Sequence, residues 1–404
     1  MASIATRPTP AHVPDDLVRS FRYDMLPGVE INSVQAAADA ARRQPDVFWG
    51  PEARHGKGAW VITRHDLIRE VYQDPELFSS RNNAGFSKMA GEDWPLLPLE
   101  ADPPSHAAWR MLLNPIFAPA RIKALEVDIE ALARRLVDRV LAKGEAEFVS
   151  DFATVFPSEI FLNLLDLPLE HVGLFLEWER KLAHGDTKAR RQEGARGVVA
   201  YLRNVVAERR SNPKDDLISH VANAWIDGRE STPDEALSVA CMLYVAGLDT
   251  VANMLGWMFK HLAEHPQDQQ RLREDPALIP VALEELLRAY PIVITGRQVT
   301  RDVEFHGVKM KKGDTVSLAT VLAGRDDREF PNPDVIDFNR EKVSHITFGS
   351  GPHRCVGSHL ARRELRIALE EWLRRVPPFR VKPGERPVTQ GRGVFGVEKL
   401  HLVW

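Results

Sequence analysis

The sequence predicts a mainly α fold with a minor β component, and three observations carry that expectation. Apolar residues recur at spacings of three and four through 106–113, 121–142, 157–165, 170–184 and 189–210, the pattern of helices with one buried face. The run Ser231-Thr-Pro-Asp-Glu235 has the form of a helix start, and an apolar stretch follows it to about Glu264. Between 296 and 322 the period changes, and the residues read as short strands.

Taken in order, residues 1–35 are proline-rich and read as irregular. Residues 58–63 read as a strand, and 66–72 as a short helix that ends before Asp74-Pro75. Residues 81–104 form a long loop with Trp94 and prolines at 95, 98, 103 and 104; a loop of that length in a compact domain usually serves a function. At Ser231–Glu235, Thr232 caps the helix, Pro233 suits its first position and Glu235 completes a capping box. About 32 residues at about 1.5 Å each give this helix a length of about 48 Å, enough to cross the molecule. A helix over 279–290 stops at Pro291. Residues 303–310 read as a hairpin turning at His306-Gly307, and 315–322 as a further strand. Residues 323–354 are rich in Asp, Asn, Pro and Gly; helix returns at 357–375, and short strands end the chain. Neither a linker nor a repeat interrupts the pattern, so one domain over 1–404 is expected.

Composition excludes several functions. The 404 residues include 53 Lys and Arg against 57 Asp and Glu, a net charge of −4, which argues against nucleic acid as the main partner. Two cysteines, Cys241 and Cys355, cannot staple a secreted fold or build a four-thiolate metal site, but one thiolate ligand stays possible. The first residues carry no apolar run of signal or membrane-spanning length. The most apolar long stretch, 236–263, contains Asp249, Asn253 and Lys260, which lipid would penalise. A soluble, cytoplasmic protein with no membrane partner is expected.

The most specific segment is FGSGPHRCVG over 348–357. Phe348, Gly351, Cys355 and Gly357 at these spacings should arise by chance in roughly one chain of this composition in 3,000. A thiolate that binds iron needs a stiff loop that aims its sulfur, and glycines let backbone N–H groups approach that sulfur. A helix starting just after Cys355 adds its positive end to the anionic ligand. Cys241, on an apolar helix face, reads as core.

The segment resembles the heme-thiolate signature of the cytochromes P450, and three further motifs stand in the same order as in that family. Glu285-Leu-Leu-Arg288 resembles its E-x-x-R pair, Phe330-Pro-Asn-Pro…Phe338-Asn-Arg340 the segment whose arginine joins that pair, and Ala246-Gly-Leu-Asp-Thr250 the oxygen-activation segment of its long central helix. The resemblance covers the chain from about residue 10 to Trp404 and is strongest to the bacterial camphor hydroxylase group, through Leu67–Glu70, Glu284–Arg288, 342–345 and Leu402–Trp404.

The resemblance implies a cytochrome P450 fold, with heme b between a long central helix and the Cys-ligand loop and helix, and Cys355 as the iron ligand. His106, Arg110, Arg297 and His353 match contacts to the heme propionates, whose charge needs cationic partners. Gly247, unfavourable in a helix by about 1 kcal/mol against Ala, implies a groove for dioxygen. Asp249 and Thr250 are then the catalytic pair that delivers protons to dioxygen. Glu285, Arg288 and Arg340 form a structural network. Trp94, Met242, Val245, Val293, Thr295 and Val394 would line the substrate pocket, which is mostly apolar. Trp94 stands where the camphor hydroxylase places a tyrosine, so an indole N–H replaces a phenol O–H and camphor is disfavoured as substrate.

The implied activity is hydroxylation of a small apolar substrate, terpenoid or norisoprenoid, by dioxygen. Gly391-Arg-Gly-Val-Phe-Gly396 fits G-x-G-x-x-G but has no helix after it, so it is no dinucleotide site, and the electrons must come from another protein. The resemblance implies a [2Fe–2S] ferredoxin with its ferredoxin reductase. Arg69, Arg110, Lys342, Arg354, Arg362 and Arg363 would form a basic face for it, with Ala107 where the family has a basic residue. A monomer is expected. Two other readings share the motif: a heme-thiolate enzyme that uses peroxide, and a non-catalytic heme sensor or carrier.

Overall fold

The computed structural model describes residues 8–21, 32–341, 343–392 and 394–404. Helix makes up about 51% of the chain and strand about 14%, the mainly α balance expected. The chain groups into two compact units, one from Met1–Asn83, Asn253–Cys355 and Val376–Trp404, the other from Ala84–Ala252 and Val356–Arg375.

The first unit is organised on a five-stranded sheet in the order Val47–Gly50, Ala59–Ile62, Thr315–Ala319, Ile294–Val299, Phe78–Ser79. Ala59–Ile62 runs antiparallel to Val47–Gly50 and parallel to Thr315–Ala319; the other pairings are antiparallel. Ala59–Ile62 is fully buried, as an apolar run shared between two strand neighbours should be. The strand expected over 315–322 ends at Ala319, and Thr320–Gly324 is helical. Thr320 gives both its N–H (3.0 Å) and its hydroxyl (2.8 Å) to the Val293 carbonyl, which turns the chain out of the ladder. The hairpin of Val303–Phe305 and Val308–Met310 closes through His306 and Gly307 at φ 46° and 80°, a turn with both central residues left-handed. At its C-terminal end the chain forms a second hairpin, Val388–Arg392 with Val394–Lys399.

The second unit is helical. Ser358–Arg375 packs along Glu126–Leu141, and Trp372 of the former meets Phe148 and Phe152 edge-on at 5.1 and 5.3 Å. Arg363 and Arg366 both bind Glu126, each at 2.5 Å. The single helix expected over 121–142 is two, Pro119–Ala124 and Glu126–Leu141. They part at Leu125, whose N–H turns back to Ile122 at 3.1 Å. The unit also holds the start of the long apolar helix. Its capping box forms: the Thr232 N–H donates to Glu235 at 2.8 Å, and the Glu235 N–H donates to the Thr232 hydroxyl at 3.2 Å. The helix runs as Pro233–Gly247 and Asp249–Glu264, interrupted at Leu248, whose N–H reaches the Tyr244 carbonyl only at 3.4 Å. It is long and apolar enough to cross a membrane, but 72% of its most apolar window is buried inside the protein.

Candidate functional site

Cys355 ends a loop that its own backbone stiffens. Its N–H donates to the Phe348 carbonyl at 2.8 Å, Gly349 N–H to Ile346 at 2.8 Å, and Arg354 N–H to Gly351 at 3.1 Å. Gly349 and Gly351 are left-handed, at φ 72° and 66°. Gly351 also passes so close to the helix His65–Gln73 that a Cβ there would lie 2.4 Å from the Tyr72 carbonyl oxygen. Only glycine satisfies both demands. The thiol that this loop presents is exposed, and a helix, Ser358–Arg375, begins three residues later.

Among the described residues no group of three or more His, Cys, Asp or Glu side chains could hold a metal ion. A single thiolate on a rigid loop therefore suits a metal that arrives with its other ligands already in place. Iron in a porphyrin is such a metal, and the donor set fits heme.

A buried ionic network ties the helix Ile279–Ala289 to the segment that precedes the loop. Glu285 and Arg288, both without exposed surface, pair through Nη2–Oε1 at 2.8 Å and Nε–Oε2 at 2.9 Å. Arg340 Nε joins the same carboxylate at 3.1 and 3.0 Å, and the Asp337 N–H donates to it at 3.0 Å. Arg288 also donates to the carbonyls of Gly324 and Pro333 at 2.8 Å each and of Val335 at 3.2 Å. Every donor and acceptor of the buried pair has a partner, the condition under which burying ions is tolerated.

Arg297, on the strand Ile294–Val299, is buried and holds its guanidinium 5.2 Å over the Tyr72 ring. The Tyr72 hydroxyl meets the Thr295 hydroxyl at 2.9 Å. Tyr72 thus fixes two of the candidate residues, and burial pushes its own pKa up, so it stays neutral. Sequence reasoning passed over Tyr72, which sits in His65–Gln73 as one apolar residue of a helical stripe. His353 is half-buried two residues before the thiol. Val293 bridges to Val394 of the C-terminal hairpin.

In the other unit, His106 and Arg110 lie four apart on Ser105–Leu113, His106 buried and Arg110 half-buried with its Nε on Asn114 at 3.0 Å. Gly247 ends its helix with little room to spare, since a Cβ would lie 3.3 Å from the Phe161 ring. Leu248 breaks the helix, and Asp249 and Thr250 follow, both half-buried. Thr250 donates its hydroxyl to the Ala246 carbonyl at 2.8 Å, so its oxygen keeps free lone pairs for a second bond. Met242 is buried and Val245 half-buried on the preceding turns. Trp94 is half-buried beside Phe86, and its indole N–H donates to Glu92 at 3.1 Å, so it does not offer that N–H to a ligand. Of the basic residues, Arg69 and Arg354 are exposed, Arg363 is engaged by Glu126, and Lys342 lies outside the described residues.

Known proteins of one family share the sequence and fold of this chain. A family model described as Cytochrome P450 matches residues 183–399. A relative from Sinorhizobium fredii (strain NBRC 101917 / NGR234), named probable cytochrome P450 127A1, is 42% identical over 407 residues, covering 99% of this chain and 98% of its own. The solved structure of cytochrome P450 CYP101C1 superposes with a TM-score of 0.88 at 37% identity, over 98% of this chain and 99% of that one. That of CYP101J2 gives 0.87 at 33% identity, over 99% and 100%.

Proposed function

The chain belongs to the cytochrome P450 family and is a heme b monooxygenase, and from that premise we propose that it hydroxylates a small apolar substrate of the terpenoid or norisoprenoid class. Electrons come from a [2Fe–2S] ferredoxin and its reductase, and the protein works as a cytoplasmic monomer whose 404 residues form one catalytic domain.

The observation that carries the proposal is the exposed Cys355 thiol on its glycine-bent, internally bonded loop. Cys355 would ligate the iron, and Arg297, His353, Arg110 and His106 would hold the propionates. When bound, heme supplies the redox chemistry that activates dioxygen and oxidises a C–H bond. The protein's own part is to place the substrate and to move protons. Thr250, tethered to Ala246, holds a proton donor at the helix break beside Gly247. Asp249, next to it and half-buried, passes protons inward from solvent. Met242, Val245, Val293 and Val394 each offer the substrate an apolar side chain, and Trp94 offers a ring face, its N–H being held by Glu92. Thr295 is kept in place by Tyr72. Glu285, Arg288 and Arg340 hold the fold around the ligand loop.

Against a net charge of −4, arginines at 69, 110, 354 and 362 support an acidic electron donor. The exposed residue at 107 is alanine, so the charge contribution on the helix Ser105–Leu113 rests on Arg110.

The test combines spectrum and turnover. The reduced protein under carbon monoxide should show the far-shifted Soret band of thiolate ligation. Terpenoids should shift the ferric spin state, and product should form with NADH, ferredoxin and reductase. Turnover with peroxide but none with ferredoxin would remove the electron-donor part, and spin-state changes without any turnover would favour a carrier or sensor.

A further inference from the structure

The C-terminal hairpin carries a polar feature that the proposed chemistry does not use. Its strands, Val388–Arg392 and Val394–Lys399, pair Gln390 with Gly396. Alternation puts Val394 and Gly396 on one face, and Gln390, directly opposite Gly396, shares that face.

The first turns of the helix Asp249–Glu264 close on it. A Cβ on Gly396 would lie 1.8 Å from Asn253 Oδ1 and 3.1 Å from Gln390 Nε2, so two amides already fill the space that a side chain would need. One turn further, the Trp257 indole donates to the Phe395 carbonyl at 3.1 Å, and a Cβ on Gly256 would lie 2.9 Å from Val397. On its other side the hairpin is held by the Phe395 N–H on the Ile292 carbonyl at 2.8 Å and by the bridge between Val293 and Val394. These contacts fix the hairpin's register.

Gln390 is only 8% exposed within this frame. Its Oε1 is buried with no hydrogen-bond partner among the described residues. Leaving a buried acceptor unpaired is unfavourable. Such an acceptor on the face that also carries Val394 is explained by a donor that arrives with a ligand.

We propose that Gln390 is a specificity-determining residue: its Oε1 accepts a hydrogen bond from a hydroxyl group on the substrate. The enzyme is then selective for a small apolar molecule that already carries one hydroxyl, over the parent hydrocarbon and over the ketone, which offers no donor. This inference rests on the proposed monooxygenase function.

Borneol, camphor and bornane share one bicyclic skeleton and differ only in the polar group. Titrated into the ferric holoenzyme and followed by the spin-state change and by equilibrium dialysis, borneol should bind about tenfold more tightly than either of the others, the effect of one net hydrogen bond. Gln390→Met should abolish that preference and leave the bornane Kd within about twofold of wild type, since the new side chain fills the same space. Equal wild-type affinities, a preference for the ketone, or no binding of borneol would each overturn the proposal without needing any variant, as would a preference that survives Gln390→Met. The carbon monoxide spectrum separates the two levels. An intact thiolate band with no alcohol preference removes the role of Gln390 alone, whereas loss of the band removes the monooxygenase assignment on which it rests.

Discussion

Cys241 and Cys355 bear the same side chain in opposite settings. Cys241 lies within Pro233–Gly247 with no exposed surface, and burial pushes its thiol pKa up, so it stays a protonated apolar group. Cys355 stands exposed at the end of a loop bent by Gly349 and Gly351 and bonded back to Phe348. A thiol becomes a metal ligand when its backbone is fixed and its sulfur can ionise. The helix around Cys241 supplies the first condition only; the loop at Cys355 fixes the backbone and leaves the sulfur exposed.

The largest effect expected from breaking this contrast is at the ligand itself. Cys355→Ser should abolish the thiolate Soret band and monooxygenase activity together, whereas Cys241→Ser should leave the spectrum unchanged. A comparable spectrum in both variants would contradict the assignment.

Next comes the buried network of Glu285, Arg288 and Arg340. Glu285→Gln leaves Arg288 and Arg340 buried without their counter-charge, which should destabilise the fold by about 3–5 kcal/mol. Thermal unfolding of the holoprotein and heme content should fall together. A variant with unchanged melting temperature would show that the network does not support the loop.

Thr250→Ala tests the helix break, not the thiolate. The loss of a positioned proton donor should lower product formation by about 100-fold or more, while the carbon monoxide spectrum and substrate-induced spin shift remain. Full activity in this variant would move proton delivery to another group.

Gly351→Ala sharpens the comparison at the level of backbone. The methyl group would meet the Tyr72 carbonyl in a left-handed residue, with an expected loss of about 1–3 kcal/mol read as faster heme release at raised temperature. The smallest effect belongs to Cys241→Ala, a minor cavity expected to lower stability by about 1 kcal/mol, measured by denaturant midpoint with activity retained.

Much of the fold was legible because its signals are local. The capping box at Thr232 and Glu235 forms as the residue types predict, and His306-Gly307 makes the hairpin turn. The elements that escaped are those decided by distant partners. Pro266–Glu274 buries only Gln269 and Leu272, so it shows no apolar stripe to read. The break at Leu248 has no Pro to announce it. The strand over 315–319 ends because Thr320 finds the Val293 carbonyl, 27 residues away in sequence.

The site divides the same way. The glycines and cysteine of the ligand loop are neighbours in sequence, and their spacing could be read directly. Tyr72 acts on Thr295 and Arg297 from more than 220 residues away, and no local pattern marks it. The engagement of the Trp94 N–H by Glu92, two residues earlier, was within sequence reach, but only the loop's conformation brings the two groups together.

The interlock at Gly396 has a consequence for anyone who would redesign this catalyst. Asn253 occupies the volume that any side chain at Gly396 would need, so mutational libraries that enlarge position 396 alone will return mostly inactive protein. A productive search would exchange the pair together, a smaller amide partner for a larger strand residue, and leave Trp257 to keep the strand seated.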